Sequence, residues 1–291
     1  MFGRRILILI PHPDDEVVGA ALAIRRAVAR GSDVFGLDLT HGCPPREALW
    51  PWSRMTYGAR IETRRREAMA AARELGMTRL ADDGLAARQL RRALPAAYAR
   101  ARDAVAAHAI DMLWVPAYEG AHADHDCANA LAFALAREVP GLAAWEFAEY
   151  NNAGGTRRAN EFPDARGDEL TVPLDDDNEG RWKTHLLRLY RSEAFNLGNV
   201  SSGKTPFRES FRPLPRHDYA RPPHAGRLFY ERFHWVPVGV PPIDFTTSAE
   251  VSAAIVAFLA GSVGERAGDA VAGGARPAQS GPTGAGQNHR N

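Results

Sequence analysis

Five consecutive aliphatic residues, Ile6 to Ile10, end abruptly on Pro11-His12-Pro13-Asp14-Asp15-Glu16. An unbroken apolar run between a charged pair, Arg4 and Arg5, and a proline reads as a strand buried on both faces, and such strands belong to parallel sheets. The period then changes. Val17, Val18, Ala21, Leu22 and Val28 share one face of a helix over 17–29, and Gly31 stands where a helix is capped. Val34 to Leu39 reads as a second strand. Strand, helix, strand is the unit of a doubly wound sheet.

The alternation continues. A helix is predicted over 63–75, with Ala68, Ala71, Ala72 and Leu75 inward and Gly76 as its stop. A second helix is expected over 94–108, a buried strand over 112–115 ended by Pro116, a helix over 124–138 and a strand over 142–150. The expected architecture is α/β and Rossmann-like: a mostly parallel sheet with helices on both faces and an irregular, loop-rich C-terminal half. One domain over 1–260 accommodates it. Residues 151–180 and 196–227 are rich in Asn, Gly, Arg, Pro and Asp, and long irregular segments inside a compact domain are usually functional. The stretch 191–240 is therefore read as a loop-rich substrate or lid region. A last helix is expected over 249–259, with Thr247 and Glu250 spaced as a capping box. From 261 to 291 the only aliphatics larger than alanine are Val263 and Val271, and this stretch reads as a disordered tail.

Bulk properties exclude several classes. A formal net charge of +1 provides no global field to recruit nucleic acid or an anionic membrane. No apolar stretch is long enough to span a bilayer, and the run after Arg5 is too short for a secretory leader. The two cysteines, Cys43 and Cys127, lie far apart and form no CxxC pair, which fits a reducing cytoplasm. The expectation is a soluble cytoplasmic protein acting on a small molecule, with homo-oligomerisation left open.

The chemistry gathers at two strand ends, the edge where open α/β sheets bind ligands. After the first strand, one histidine and three acids lie within five residues, on backbone stiffened by two prolines. Acids in a first helical turn are commonplace, but that reading leaves His12 and the bracketing prolines unexplained. After the strand 112–115 comes Glu119-Gly120-Ala121-His122-Ala123-Asp124-His125. Alone it reads equally as an Asp124 helix cap between surface histidines. Two such loops at one sheet edge suggest a metal site, because catalytic zinc takes three His or carboxylate ligands and leaves a position open. A His and an Asp from the first loop with a His from the second would suffice, and the remaining acid would serve as general base.

These residues carry a family resemblance. Pro11-His12-Pro13-Asp14-Asp15-Glu16 resembles the (A/P)HPDDE signature of the PIG-L/LmbE-like deacetylases, and His122-Ala123-Asp124-His125 resembles their HxDH motif. Leu39-Thr40 with Gly42 is similar to the family's second-strand turn, and Arg64, Glu67, Ala71, Leu75 and Gly76 to its RxxE…A…LG helix. The likeness covers roughly residues 4–150. It implies a zinc-dependent N-deacetylase with His12, Asp15 and His125 as metal ligands, another divalent transition metal being an alternative. It further implies Asp14 as general base, His122 as oxyanion stabiliser with Asp124 as its orienting neighbour holding it charged, and Arg64 at the substrate. The implied substrate is a small N-acyl amino-sugar compound. Two positions depart from the pattern: Gly120 stands where some thiol-pathway members have tyrosine, and Ser192-Glu193 where the family often has Ser-Gln.

Weaker features stand outside the motifs. His41 is read as a surface histidine in preference to a cleft residue. The segment 208–232, with His217, Tyr219, His224 and several arginines, is read as a lid or anion-binding loop or, equally, as a solvated loop. The rival functions are an amidase acting on a non-sugar amide or thiol conjugate, and a non-catalytic sugar- or nucleotide-binding Rossmann protein. The last should carry a G-x-G-x-x-G turn after the first strand, where this chain has Pro11 to Glu16.

Overall fold

The computed structural model describes residues 1–81, 84–198, 208–235 and 243–272. The elements run β1 (Arg5–Ile10), α1 (Asp15–Ala29), β2 (Asp33–Asp38), α2 (Tyr57–Leu75), β3 (Thr78–Leu80), α3 (Leu94–Ala107), β4 (Met112–Pro116), α4 (Ala123–Glu138), β5 (Ala143–Ala148), β6 (Tyr150–Asn151), β7 (Arg158–Ala159), β8 (Leu170–Val172), α5 (Asp177–Leu189), α6 (Ala194–Leu197), β9 (Glu209–Pro213) and α7 (Ser248–Ala272). Seven strands form one sheet in the order β3-β2-β1-β4-β5-β9-β8. β1 to β5 are parallel, with Ile6 opposite Val34 on one side and Met112 on the other. β9 runs antiparallel to β5 and to β8.

Alternation along β1 divides the core, because successive side chains in a strand point to opposite faces. Ile6, Ile8 and Ile10 pack with α1, α2 and α5 on one face. Leu7 and Leu9 pack with α3, α4 and α7 on the other. Burial on both faces makes the strand apolar throughout. The strand order also fixes where ligands can bind. From β1 the chain winds outward through β2 to β3, then returns to place β4 on the opposite side of β1. The loops leaving β1 and β4 therefore part across a crevice at the C-terminal sheet edge.

The irregular second half contributes more to the sheet than its composition suggests. β8 and β9, whose segments carry no clean apolar period, extend it, and α5 covers it. The reason is that β9 buries charge. Glu209 accepts from Leu22 N and Ala23 N of α1 and pairs with Lys183 of α5 at 2.6 Å, while Arg212 pairs with Glu146 of β5 at 2.6 Å. α7 runs to Ala272, past Gly261, where the expected helix had stopped. A glycine alone costs a helix only about 1 kcal/mol and does not have to end it. Residues 273–291 lie outside the described residues.

A second buried ionic cluster braces the first loop. Arg79 of β3 donates to Glu16 at 2.9 Å and to Asp38 at 2.6 and 2.7 Å, and the Tyr190 hydroxyl also donates to Glu16. Arg79→Met strands two buried carboxylates, so unfolding free energy should fall by about 3–5 kcal/mol in a urea titration. A change below about 1 kcal/mol would show that the cluster carries little of the stability.

Candidate active site

The loop after β1 is tied down on both sides. The Thr40 hydroxyl, just past β2, donates to the Pro11 carbonyl at 2.7 Å and accepts from Gly42 N. His12 N donates to the Asp15 carboxylate at 2.8 Å, closing a tight turn at the start of α1. Asp14, at the head of α1, has φ 150°, a backbone conformation that an L-residue adopts only when its surroundings impose it. Its carbonyl receives Val17 N and Val18 N, and its own N–H donates to Glu16.

The second loop presents its residues from the first turn of α4. His122 is the N-cap, extended, with Nδ1 accepting from Asp124 N at 3.0 Å. Asp126 closes the loop behind it by accepting from Gly120 N at 3.1 Å and Glu119 N at 3.3 Å. Asp124 and His125 face inward, each 1% exposed.

Across the crevice three donor atoms converge. His12 Nδ1 lies 3.4 Å from Asp15 Oδ2 and 3.2 Å from His125 Nε2, and these last two are 3.3 Å apart. Ligand atoms about 2.0–2.1 Å from a tetrahedral zinc sit about 3.3–3.4 Å from one another. The triangle thus has the edge length of such a site and the N/O donor set that zinc accepts. A second set of donors, His12, His122 and Asp124, shares one histidine with the first. Its Asp124 oxygens are already committed, Oδ1 to Leu90 N at 3.1 Å, Oδ2 to Arg88 N at 2.5 Å and to His12 Nε2 at 3.1 Å. Asp124 therefore holds the ring of His12 from behind while His12 Nδ1 faces the triangle, the carboxylate–histidine arrangement that fixes a ligating tautomer. Burial works against charge on His12, yet Asp15 and Asp124 bring its pKa up to about 10.

One expectation is corrected here. Asp124 was expected to orient His122 and keep it charged. The two side chains stand 3.8 Å apart, and Asp124 bonds His12 instead. His122 spends Nδ1 on its own helix cap, and burial together with the charge of His12 takes its pKa well below the ordinary value, outweighing Asp124. Because Nδ1 accepts a backbone N–H, the proton of its neutral form belongs on Nε2.

Asp14 and Arg64 meet beside the triangle. Arg64, 2% exposed, places its guanidinium 3.5 Å from Asp14 and 3.4 Å from Glu193. Burial raises the Asp14 carboxyl well above its ordinary value, and Arg64 pulls against that rise. Arg64 thus stands against an acid of the first loop, with Nε and Nη1 left without a hydrogen-bond partner. The departing pair Ser192-Glu193 meets the face of α2 that carries Arg64, Ser192 bonding Glu67 through N and Oγ. Gly42 closes this corner. At φ +74°, a Cβ there would lie 2.7 Å from Arg64 Nη2 and 2.8 Å from Pro13 Cδ. Gly42→Ala should cost about 1–2 kcal/mol for the left-handed backbone alone, and displacing Arg64 should reduce turnover as well. Thermal melts and initial rates check both, and an unchanged pair would show that the corner is slack.

Sequence reasoning missed Glu149. It follows β5, is 2% exposed, and has Oε2 3.9 Å from His125 Nδ1, while Glu149 Oε1 and His125 Nδ1 each lack a hydrogen-bond partner. The signal was present, an acid at the end of a third strand, but no motif marks it. His41 is buried, not a surface residue: it accepts from Cys43 N at 3.1 Å and contacts the Tyr57 hydroxyl. His217 and Tyr219 are anchors, bonded to Glu146 and Asn129, while Arg216, Asp218, Ala220 and Arg221 around them are exposed. Among the described residues no helix is long and apolar enough to cross a membrane.

Comparison with known proteins agrees with this geometry. The family model described as PIG-L, GlcNAc-PI de-N-acetylase, matches residues 7–136. No curated protein matches the chain by sequence. A deacetylase of the teicoplanin pathway, solved with teicoplanin, aligns with TM-score 0.54 at 13% identity, over 72% of this chain and 97% of that one. A zinc-inhibited form of teicoplanin deacetylase aligns with TM-score 0.54 at 14% identity, over 74% and 99%. The N,N'-diacetylchitobiose deacetylase of Pyrococcus horikoshii aligns with TM-score 0.50 at 15% identity, over 72% and 84%. At these identities the likeness establishes a shared fold.

Proposed function

We propose, on the premise that residues 7–136 make this a PIG-L-family chain, that the protein is a metal-dependent hydrolase of N-acyl groups on amino-sugar-containing small molecules. The observation that carries the reading is the donor triangle of His12, Asp15 and His125, with Asp14 next to Asp15 in the chain and the His122 ring 4.4 Å from that of His12. These three would hold a divalent ion, zinc by preference. Such an ion supplies Lewis acidity, polarising an amide carbonyl and lowering the pKa of water.

The chain's own groups do the rest. Asp14 accepts the proton of the attacking water as its oxygen bonds to the carbonyl carbon. The neutral His122 donates Nε2–H to the oxygen on which charge develops, a contribution worth about 3–4 kcal/mol in comparable sites. When the carbon–nitrogen bond breaks, Asp14 returns its proton to the nitrogen, which leaves as the free amine. Arg64 positions Asp14 and restrains its rise in pKa. Asp124 fixes the ring of His12, and Glu149 stands behind that of His125.

The sugar assignment is supported by the family description and by neighbours of the same fold named for an amino-sugar substrate, diacetylchitobiose, and for the teicoplanin pathway. A cytoplasmic location is part of the proposal and rests on two buried free thiols, Cys43 and Cys127. The test is amine release from N-acetylglucosamine conjugates, acyl-amino acids and acyl-polyamines in the presence of zinc. Turnover confined to the conjugates is the expected result. Turnover of the non-sugar amides alone would defeat the sugar assignment and leave the hydrolase. No turnover by metal-loaded protein would favour a binding protein.

A further inference from the structure

Beside the donor triangle lies a group of arginines that the proposed chemistry does not use. Tyr150, just past β5, has its ring 6.3 Å from that of His125. Phe229 meets Tyr150 edge to face at 4.9 Å, and Phe229 N donates to the Gly120 carbonyl in the loop that carries His122. Two guanidiniums lie on this aromatic step. Arg232 is 4.1 Å from the Phe229 ring centre, and Arg157 is 5.5 Å from both Phe229 and Tyr150. Arg88 stands close by, its backbone N–H bonded to Asp124 and its backbone in the left-handed region at φ 69°.

These arginines come from three loops remote in sequence, and no acid neutralises Arg157 or Arg232 among the described residues. Glu231, the chain neighbour of Arg232, has its carboxylate engaged elsewhere, accepting from Leu228 N and Ser248 N. Burial and the charges of Arg157 and Arg88 weaken Arg232's hold on its proton, with only the Tyr150 hydroxyl opposing. Like charges gathered without counter-charge raise the energy of the free protein, and an arriving anion relieves it. Arg232 donates from Nη1 to the Phe229 carbonyl at 3.1 Å, and its remaining N–H groups meet no acceptor among the described residues, leaving part of the planar fork that engages a carboxylate or phosphate. Arg64 is the contrast, since it is buried against Asp14 and Glu193 and already neutralised.

We infer that Arg157 and Arg232 form a subsite for an oxyanion on the substrate, so that the molecule whose amide meets the donor triangle also carries a phosphate or carboxylate. The inference rests on the proposed amidohydrolase reading for the role of that subsite, but its test does not need the amide. Binding is measured by calorimetry with three sugars that have no amide to cleave: glucose 1-phosphate, glucuronate and methyl glucoside. At least one charged sugar is expected to bind ten-fold or more tighter than methyl glucoside, and the better of the two identifies the anion. In the double variant Arg157→Gln, Arg232→Gln that advantage should fall at least ten-fold. Both side chains lie at the surface, so the fold should survive, which circular dichroism checks. Arg232→Lys, which keeps the charge and loses the fork, should recover only part of the advantage. Equal binding of charged and neutral sugars, or an advantage untouched in the double variant, overturns the subsite. Loss of the anion advantage in a protein that hydrolyses no amide would sustain the subsite and remove the hydrolase. Amide hydrolysis with no anion advantage would do the reverse.

Discussion

Asparagine in place of Asp14 is expected to lower kcat by about 10²–10⁴-fold while metal content stays that of the parent protein. The substitution keeps the size of the side chain and removes its ability to take a proton. It touches none of the three converging donors, which come from His12, Asp15 and His125. Arg64 keeps Glu193 at 3.4 Å as a partner, so loss of the Asp14 charge leaves no buried cation alone. Elemental analysis and steady-state kinetics on one preparation decide the matter. Normal turnover by folded, metal-loaded protein would remove Asp14 from the role of base.

His125→Ala is expected to abolish both metal binding and activity. It takes away one vertex of a triangle whose edges are 3.2–3.4 Å, and two donors from a single tight turn remain. Removing only an outer hydrogen-bond partner of a ligand typically costs 10–100-fold in metal affinity, so losing the ligand itself should cost more. The two variants form a matched pair, one losing chemistry with metal retained and the other losing both. Retention of stoichiometric metal by His125→Ala would place the ion elsewhere, with the His12, His122 and Asp124 set as the alternative.

Much of this was legible in the chain. Ile6 to Ile10 announced a strand covered on both faces because a parallel strand has no solvent side to pattern. The two motifs announced their positions because each follows such a strand and precedes a helix. The elements that escaped were those whose burial is bought with charge. β9 reads Glu209-Ser210-Phe211-Arg212-Pro213 and buries both charged side chains, so apolar periodicity had nothing to report there, while α5 sets Lys183 on the same buried face as Leu186 and Leu187.

By itself, the sequence determined the parallel α/β core, the strand ends that bear the chemistry and the residue types gathered there. Those follow from local patterns, in which a residue's environment is set by neighbours within a few positions. Only the tertiary structure decided which atoms meet. That His12 presents Nδ1 to His125 and Nε2 to Asp124 depends on contacts 113 and 112 residues apart. They exist because β4 pairs with β1 on the side opposite β2, a strand order that no periodicity encodes. The same order brought Glu149 behind His125, turned Asp124 from His122 to His12 and closed Arg64 between two acids. Charge in a folded chain is balanced by whatever the topology brings within a few ångströms, and for that reason the partner of Asp124, the enclosure of Arg64 and the meeting of Arg157 with Arg232 became visible only in three dimensions.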